Sequence, residues 1–115
     1  MKEGDVALAV LPQVDRIAKP RPVVLLTRMP PFGDWLVCGV TTQLHHEVPG
    51  FDDVLAMTDA DFAPSGLKTT SLIRPGFLAV LPVAELIGQL GEISVERHAR
   101  LVRRLAALLN SSASH

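Results

Sequence analysis

The sequence has little of several things, and each shortage excludes something. It holds one cysteine, Cys38, so no disulfide forms within the chain, and a lone thiol inside an apolar strand agrees with a reducing compartment. No apolar run approaches the roughly 18 residues that cross a bilayer, which argues against a membrane protein. The start, Met1-Lys2-Glu3-Gly4-Asp5, is too acidic and polar for a secretory signal, so a cytoplasmic location is expected. There is no basic excess. With a net charge of −1 and a pI near 6.4, any role with nucleic acid must rest on a local site rather than on overall charge. There are no internal repeats, and aromatic residues make up only 4%.

The apolar share is 48%, and 115 residues are enough for one domain with a real core and too few for two. The chain is organised around Lys19-Pro20-Arg21-Pro22-Val23-Val24-Leu25-Leu26-Thr27. Proline fixes its own φ and pushes the preceding residue out of the helical region, so the two prolines hold one guanidinium in a stiff, extended frame. The aliphatic run that follows is the mark of a strand buried on both faces. Arg21 therefore stands at the mouth of a core strand.

In chain order, Val6 to Leu11 reads as the first strand and Pro12 to Pro20 as a long polar loop. Strands over Val23 to Thr27 and Trp35 to Thr41 flank Arg28 to Asp34, whose prolines and Gly33 break any strand. A hairpin centred on Pro31 sets Val23 opposite Gly39 and Arg21 opposite Thr41, with facing Cβ atoms about 5 Å apart. Leu44 to Gly50 reads as a polar loop, Phe51 to Met57 as a short strand and Asp59 to Gly66 as a loop. Leu67 to Ile73 reads as an edge-like strand broken at Arg74-Pro75-Gly76, Phe77 to Leu81 as a final strand, and Pro82 to Ile87 as a short helix ended by Gly88. Ser94 caps a C-terminal helix in which Val95, Leu101, Val102, Leu105, Leu108 and Leu109 recur at helical spacing, while Arg97, Arg100, Arg103 and Arg104 form a solvated face. Residues from Asn110 should fray, leaving 1–110 as the domain and 111–115 as a tail. Short strands with one late helix indicate an α+β fold, a small β-barrel or strongly bent antiparallel sheet with a short helix and a C-terminal helix.

Gly4-Asp5-Val6, Pro20-Arg21-Pro22-Val23-Val24-Leu25, Val40-Thr41-Thr42-Gln43 and Ser65-Gly66-Leu67 leading to Ser71 occur in that order before the last helix. In this respect the chain resembles the MazF/PemK (Kid) toxins of bacterial toxin and antitoxin pairs. The resemblance implies a homodimeric, SH3-like barrel that cuts single-stranded RNA at short sequences without a metal or other cofactor and is silenced by an acidic antitoxin. It implies that Arg21 and Thr41 are the catalytic pair. The acidic pI departs from the family, whose toxins are commonly basic.

The residues themselves fit such chemistry. RNA carries its own nucleophile in the 2'-hydroxyl, so a protein need only align the phosphodiester and stabilise charge on the phosphoryl oxygens, which a forked, permanently charged guanidinium does well. Arg21 is given that role, and the Thr41 hydroxyl adds one hydrogen bond. Lys19, Arg16 and Arg28 are assigned to the RNA backbone, and Thr42, Gln43 and His45 to further substrate contact. His45 and His46 together suggest an acid and base pair, but neighbours in an extended segment point opposite ways. Phe32 offers a stacking face, whereas Trp35 begins a core strand and is expected to be buried. Asp59-Ala60-Asp61 and the two histidines lack metal-ligand spacing, and the two aspartates read as a solvated turn. The alternatives are a barrel-fold toxin that poisons a protein such as gyrase, and a member that only binds its partner.

Overall fold

The computed structural model describes residues 1–11 and 19–113. Its strands are Asp5–Val10 (β1), Pro20–Met29 (β2), Asp34–Thr41 (β3), Asp53–Leu55 (β4), Ser71–Leu81 (β5) and Leu86–Glu92 (β6), and its helices are Phe62–Ser65 (α1) and Val95–Ala113 (α2). The strands form one antiparallel sheet in the order β4-β5-β3-β2-β1-β6. Among the described residues no helix is long and apolar enough to cross a membrane.

Strand side chains alternate between faces, and here both faces are covered. Val6, Val24, Leu26 and Cys38 enter one core together with Leu101 and Leu105 of α2. Ala7, Val23, Leu25, Trp35 and Val37 enter a second core on the other face. The continuous apolar runs of β1 and β2 follow from this double burial. Two irregularities bend the sheet. Leu26 is an extra residue in β2 opposite β3, and its carbonyl accepts a hydrogen bond from His98 Nε2 of α2 at 2.8 Å. In β5, Pro75, Gly76 and Phe77 stand between the pairs Cys38↔Leu78 and Gly39↔Arg74, a bulge that re-aims the strand.

The sheet is not closed, so it is a strongly bent sheet rather than a strict barrel. Between β6 and the α1 segment the gap is filled by backbone contact instead of strand pairing. A Cβ on Gly66 would stand 2.1 Å from the Leu90 carbonyl oxygen, and one on Gly91 would stand 2.0 Å from that of Pro64.

Several elements differ from expectation. The hairpin strands run to Met29 and from Asp34, which shortens the turn to Pro30 through Gly33. Only Asp53–Leu55 of the Phe51 to Met57 stretch is strand, and the Asp59 to Gly66 loop contains α1. Leu67 to Ile73 and Phe77 to Leu81 do not give two strands, because Ser71–Leu81 is one strand kinked at its bulge, and it lies inside the sheet between β4 and β3. The helix expected over Pro82 to Ile87 is a single 3-10 turn, Val83–Glu85, followed by the unexpected β6. Helix α2 continues past Asn110 to Ala113.

The largest correction concerns α2. Ser94 does cap it, its Oγ accepting from the Arg97 N–H at 3.1 Å. The apolar face narrows to Leu101 and Leu105, while Val95, Val102, Leu108 and Leu109 are exposed. Arg97 is buried, and Arg97, Arg100 and Arg104 turn inward onto Asp53, with Nη1 of Arg97 donating at 2.7 Å and Nη2 of Arg100 at 2.9 Å. Asp61 is no solvated turn either, since it accepts from Arg97 and from the Ser94 N–H. Of the four arginines, only Arg103 is exposed as foreseen.

Candidate functional site

The β2 and β3 hairpin holds Val23↔Gly39, Val24↔Cys38 and Leu25↔Val37 in register, and Val23↔Gly39 is the last pair at the open end. Arg21 and Thr41 lie two residues beyond it on their strands. Across the other edge of β2, Arg21 is paired with Ala9 of β1, with Pro22 opposite Leu8 and Pro20 opposite Val10. The backbone carrying the guanidinium is thus fixed by the sheet. Arg21 and Thr41 both line two adjoining cavities, one of about 230 Å³ and one of about 600 Å³, and with Pro22 and Val40 they form the wall that the two share.

The smaller cavity adds His46, Arg74 and Phe77, and the larger adds Thr42, Gln43, Lys68, Thr69 and Ser71. Gly39 matters because a Cβ there would lie 3.0 Å from the Phe77 ring, so glycine lets that ring pack beside the site. Thr41 Oγ1 accepts a hydrogen bond from the Gln43 N–H at 3.1 Å. A hydroxyl has one hydrogen to give and two lone pairs, so this bond orients the oxygen while leaving the O–H for another acceptor.

The predicted residues separate into those that share this place and those that do not. Thr42 and Gln43 line the larger cavity with Arg21 and Thr41. Lys19 is exposed just before β2 and lines neither cavity, and Arg16 lies outside the described residues. Arg28 is far from the groove, because it lies seven positions along β2 from Arg21, roughly 20 Å at strand rise. Its guanidinium lies 4.6 Å from the Trp35 ring centroid and its Nη1 donates to the Gly33 carbonyl at 3.1 Å, so it braces the hairpin tip. Trp35 is buried at 1% exposure, and Phe32 stands out at 88% on the same tip. His46 rather than His45 lines the smaller cavity. The two sit in a 3-10 turn, Leu44–His46, with rings 4.3 Å apart in an edge arrangement, so the extended-chain argument that separated them does not apply.

Arg74 and Lys68 were not singled out by sequence reasoning. Lys68 follows Ser65-Gly66-Leu67 directly, a proximity that was available, but only the bulge in β5 aims Arg74 at the site, and nothing in its spacing announces that. Together with Arg21 they resolve the apparent conflict with an acidic pI. Among the described residues, the two cavities are lined by Arg21, Lys68 and Arg74 and by no aspartate or glutamate. Four aspartates, Asp52, Asp53, Asp59 and Asp61, are instead engaged by Arg74 and by Arg97, Arg100 and Arg104 of α2. Charge is sorted by location, and the groove receives the cations.

Solved structures share this architecture, two mycobacterial ones among them. The Mycobacterium tuberculosis toxin MazF-mt6 superposes with a TM-score of 0.68 at 21% sequence identity, over 92% of this chain and 96% of that one. An endoribonuclease in complex with its cognate antitoxin, from Mycobacterial species, gives 0.67 at 16% identity, over 96% of this chain and 95% of that one. The fold is theirs. No protein-family model matches the chain, and no curated protein matches it.

Within that fold the cysteine is not a candidate nucleophile. Burial pushes the Cys38 thiol up to about 12, so it stays protonated in the core, away from the groove. The open end of the hairpin instead offers forked cationic donors, an oriented hydroxyl and one imidazole around a space with apolar walls. Such a set binds and polarises an oxyanion.

Proposed function

We propose that this chain is the toxin of a toxin and antitoxin pair, an endoribonuclease that cuts single-stranded RNA at short sequences without a metal. The observation that carries the reading is the placement of Arg21 and Thr41 on the wall shared by two cavities whose linings, among the described residues, hold three cations and no carboxylate. The fold is one that an endoribonuclease also has.

In this reading the 2'-oxygen attacks the adjacent phosphorus, the bond from phosphorus to the 5'-oxygen breaks, and the products are a 2',3'-cyclic phosphate and a 5'-hydroxyl. The net proton movement is from the 2'-oxygen to the departing 5'-oxygen. Arg21 forks onto the non-bridging oxygens, Arg74 adds a second positive charge, and Thr41 donates its free O–H to the same phosphate. Guanidinium charge does the work that a metal would otherwise do. His46 is the imidazole on the cavity wall, and imidazole is well suited to moving protons near neutral pH, so it is the first residue to substitute when seeking the proton acceptor. Thr42, Gln43 and Lys68 contact flanking nucleotides in the larger cavity. The active form is a homodimer, and an acidic antitoxin segment competes with RNA by lying along the same cationic, apolar-walled groove.

The test is incubation of purified protein with defined single-stranded RNA in EDTA. Cleavage leaving cyclic-phosphate ends is expected, with a loss of about 10²- to 10³-fold in Arg21→Ala, the scale of removing an oxyanion donor. Intact RNA together with inhibition of gyrase would replace this reading with that of a toxin aimed at a protein.

A further inference from the structure

One buried carboxylate joins α2 to the groove without touching it. Asp52 is 4% exposed and immediately precedes β4. Asp52 lies in the bend that leads into the strand, its N–H donating to the Val48 carbonyl at 2.9 Å. Asp53, the first strand residue, turns to α2, where Arg97, Arg100 and Arg104 hold its carboxylate. The Asp52 carboxylate goes elsewhere. Its Oδ2 lies 3.9 Å from Arg74 Nε and accepts from the Val48 N–H at 2.9 Å, while its main-chain carbonyl accepts from Arg104 Nη1, also at 2.9 Å. Among the described residues the buried Arg74 Nε–H makes no hydrogen bond, so the carboxylate beside it is an electrostatic counter-charge. One end of Arg74 is thereby held, and its side chain still lines the cavity with Arg21 and Thr41. Through Val48 the same oxygen also restrains the segment that carries His46, two residues earlier.

We propose that Asp52 is a positioning residue for the reaction, holding the Arg74 fork toward the scissile phosphate and the His46 segment against the smaller cavity. The inference rests on the reading of the groove as an RNA cleavage site. Asp52 touches no substrate and acts through Arg74, with α2 supplying the rigid support through Arg104. A displacement of about 1 Å in a group that aligns a reacting phosphate costs about 10²-fold in rate, so a buried charge that sets that alignment has a large effect for a residue outside the groove.

The experiment is a double-mutant cycle with Asp52→Asn and Arg74→Ala, following single-turnover cleavage of defined RNA in EDTA, with thermal unfolding of each variant as a control. Asparagine keeps an oxygen for the Val48 N–H and removes only the charge. Asp52→Asn is expected to slow cleavage about tenfold to a hundredfold, more in kcat than in KM, and to add nothing further when Arg74 is already alanine. Losses that multiply in the double variant, or an Asp52→Asn enzyme as fast as the parent, would overturn the proposal. A second measurement is independent of nuclease activity: the Arg74 Nε–H resonance in a ¹⁵N correlation spectrum of the whole protein. It should be protected from exchange in the parent and lose protection in Asp52→Asn, and an unchanged signal rejects the proposal even if the parent cuts no RNA.

Discussion

Arg97 and Asp61 meet face to face across thirty-six positions of sequence, Nε to Oδ2 at 2.8 Å and Nη2 to Oδ1 at 3.0 Å. The same guanidinium donates to Asp53 at 2.7 Å, to Asp59 at 3.0 Å and to the Val54 carbonyl at 3.0 Å. One side chain at the start of α2 thus ties together β4, the turn before α1 and the helix cap. Planar forked geometry makes this possible; a lysine, with its single ammonium, cannot serve so many acceptors in fixed directions.

Replacing Arg97 by alanine should therefore be severe. The variant takes the guanidinium away from Asp61 and Asp59 and leaves Asp53 to Arg100 and Arg104, and removing one partner of a buried ion pair costs about 3–5 kcal/mol. Urea unfolding of Arg97→Ala against Arg103→Ala makes the comparison, because Arg103 is exposed and its loss should stay within about 0.5 kcal/mol. Equal effects would mean that the cluster does not hold the helix.

Acid should act through the same cluster. The bonds from Arg97 hold the Asp61 carboxyl down at about 2, below its ordinary 3.8. For Asp53, burial pushes its carboxyl up, but bonds from Arg100 and Arg97 outweigh this and the net direction is down. A carboxyl whose folded value is depressed contributes stability above its unfolded value and loses it as the pH falls through the folded one. The contribution of Asp61 is on the order of 2 kcal/mol, complete above about pH 5 and withdrawn as the pH falls from about 4 through 2. Unfolding free energies measured from pH 6 to pH 2 should fall most steeply at the acid end, and Asp61→Asn should be flatter over that window.

The seam between α1 and β6 makes a sharper steric prediction. Gly66 has φ +74 and its missing Cβ would fall on the Leu90 carbonyl, while a Cβ on Gly91 would fall on that of Pro64. Both neighbours are backbone and cannot rotate aside. Gly66→Ala and Gly91→Ala should each cost about 3 kcal/mol or more, at the upper end of overpacking. Gly88 lies in the same strand as Gly91 and, among the described residues, has nothing within 4 Å of its missing Cβ, so Gly88→Ala should melt like the parent. A parent-like melt of Gly91→Ala would mean that the seam opens.

The sequence disclosed those features whose cause is local. Proline spacing around Arg21 marked the start of β2 and Ser94 the start of α2. A hairpin centred on Pro31, by contrast, gives the Val23↔Gly39 register because the extra residue Leu26 takes up the one-residue offset of pairs such as Arg28↔Trp35 beside the turn. Strand β6 was missed because Leu-Ile-Gly-Gln-Leu-Gly-Glu is an edge strand with two glycines, of which Gly91 is closely approached by backbone, so it lacks the alternation of a half-buried strand. Arginines at helical spacing look like a solvated face until tertiary structure brings aspartates to them, and those aspartates lie more than thirty positions away. Arg74 was hidden for the same reason, since the bulge that aims it depends on pairing with Gly39.

Lys68 offers the most direct check on the groove as an RNA path. It lines the larger cavity and is assigned to a flanking phosphate, which is sequence-independent electrostatics. Each phosphate neutralised on a single strand contributes about −0.7 to the slope of log affinity against log salt. Binding of an RNA made uncleavable by 2'-methoxy groups, measured across salt concentrations, should show Lys68→Ala weakened at low salt and shallower in slope by about 0.7 to 1. Arg28→Ala and Arg103→Ala should match the parent, because one guanidinium lies over Trp35 and the other on the exposed face of α2. If Arg28→Ala lost affinity and Lys68→Ala did not, RNA would run over the hairpin tip beside Phe32, and the two cavities around Arg21 and Thr41 would need another ligand.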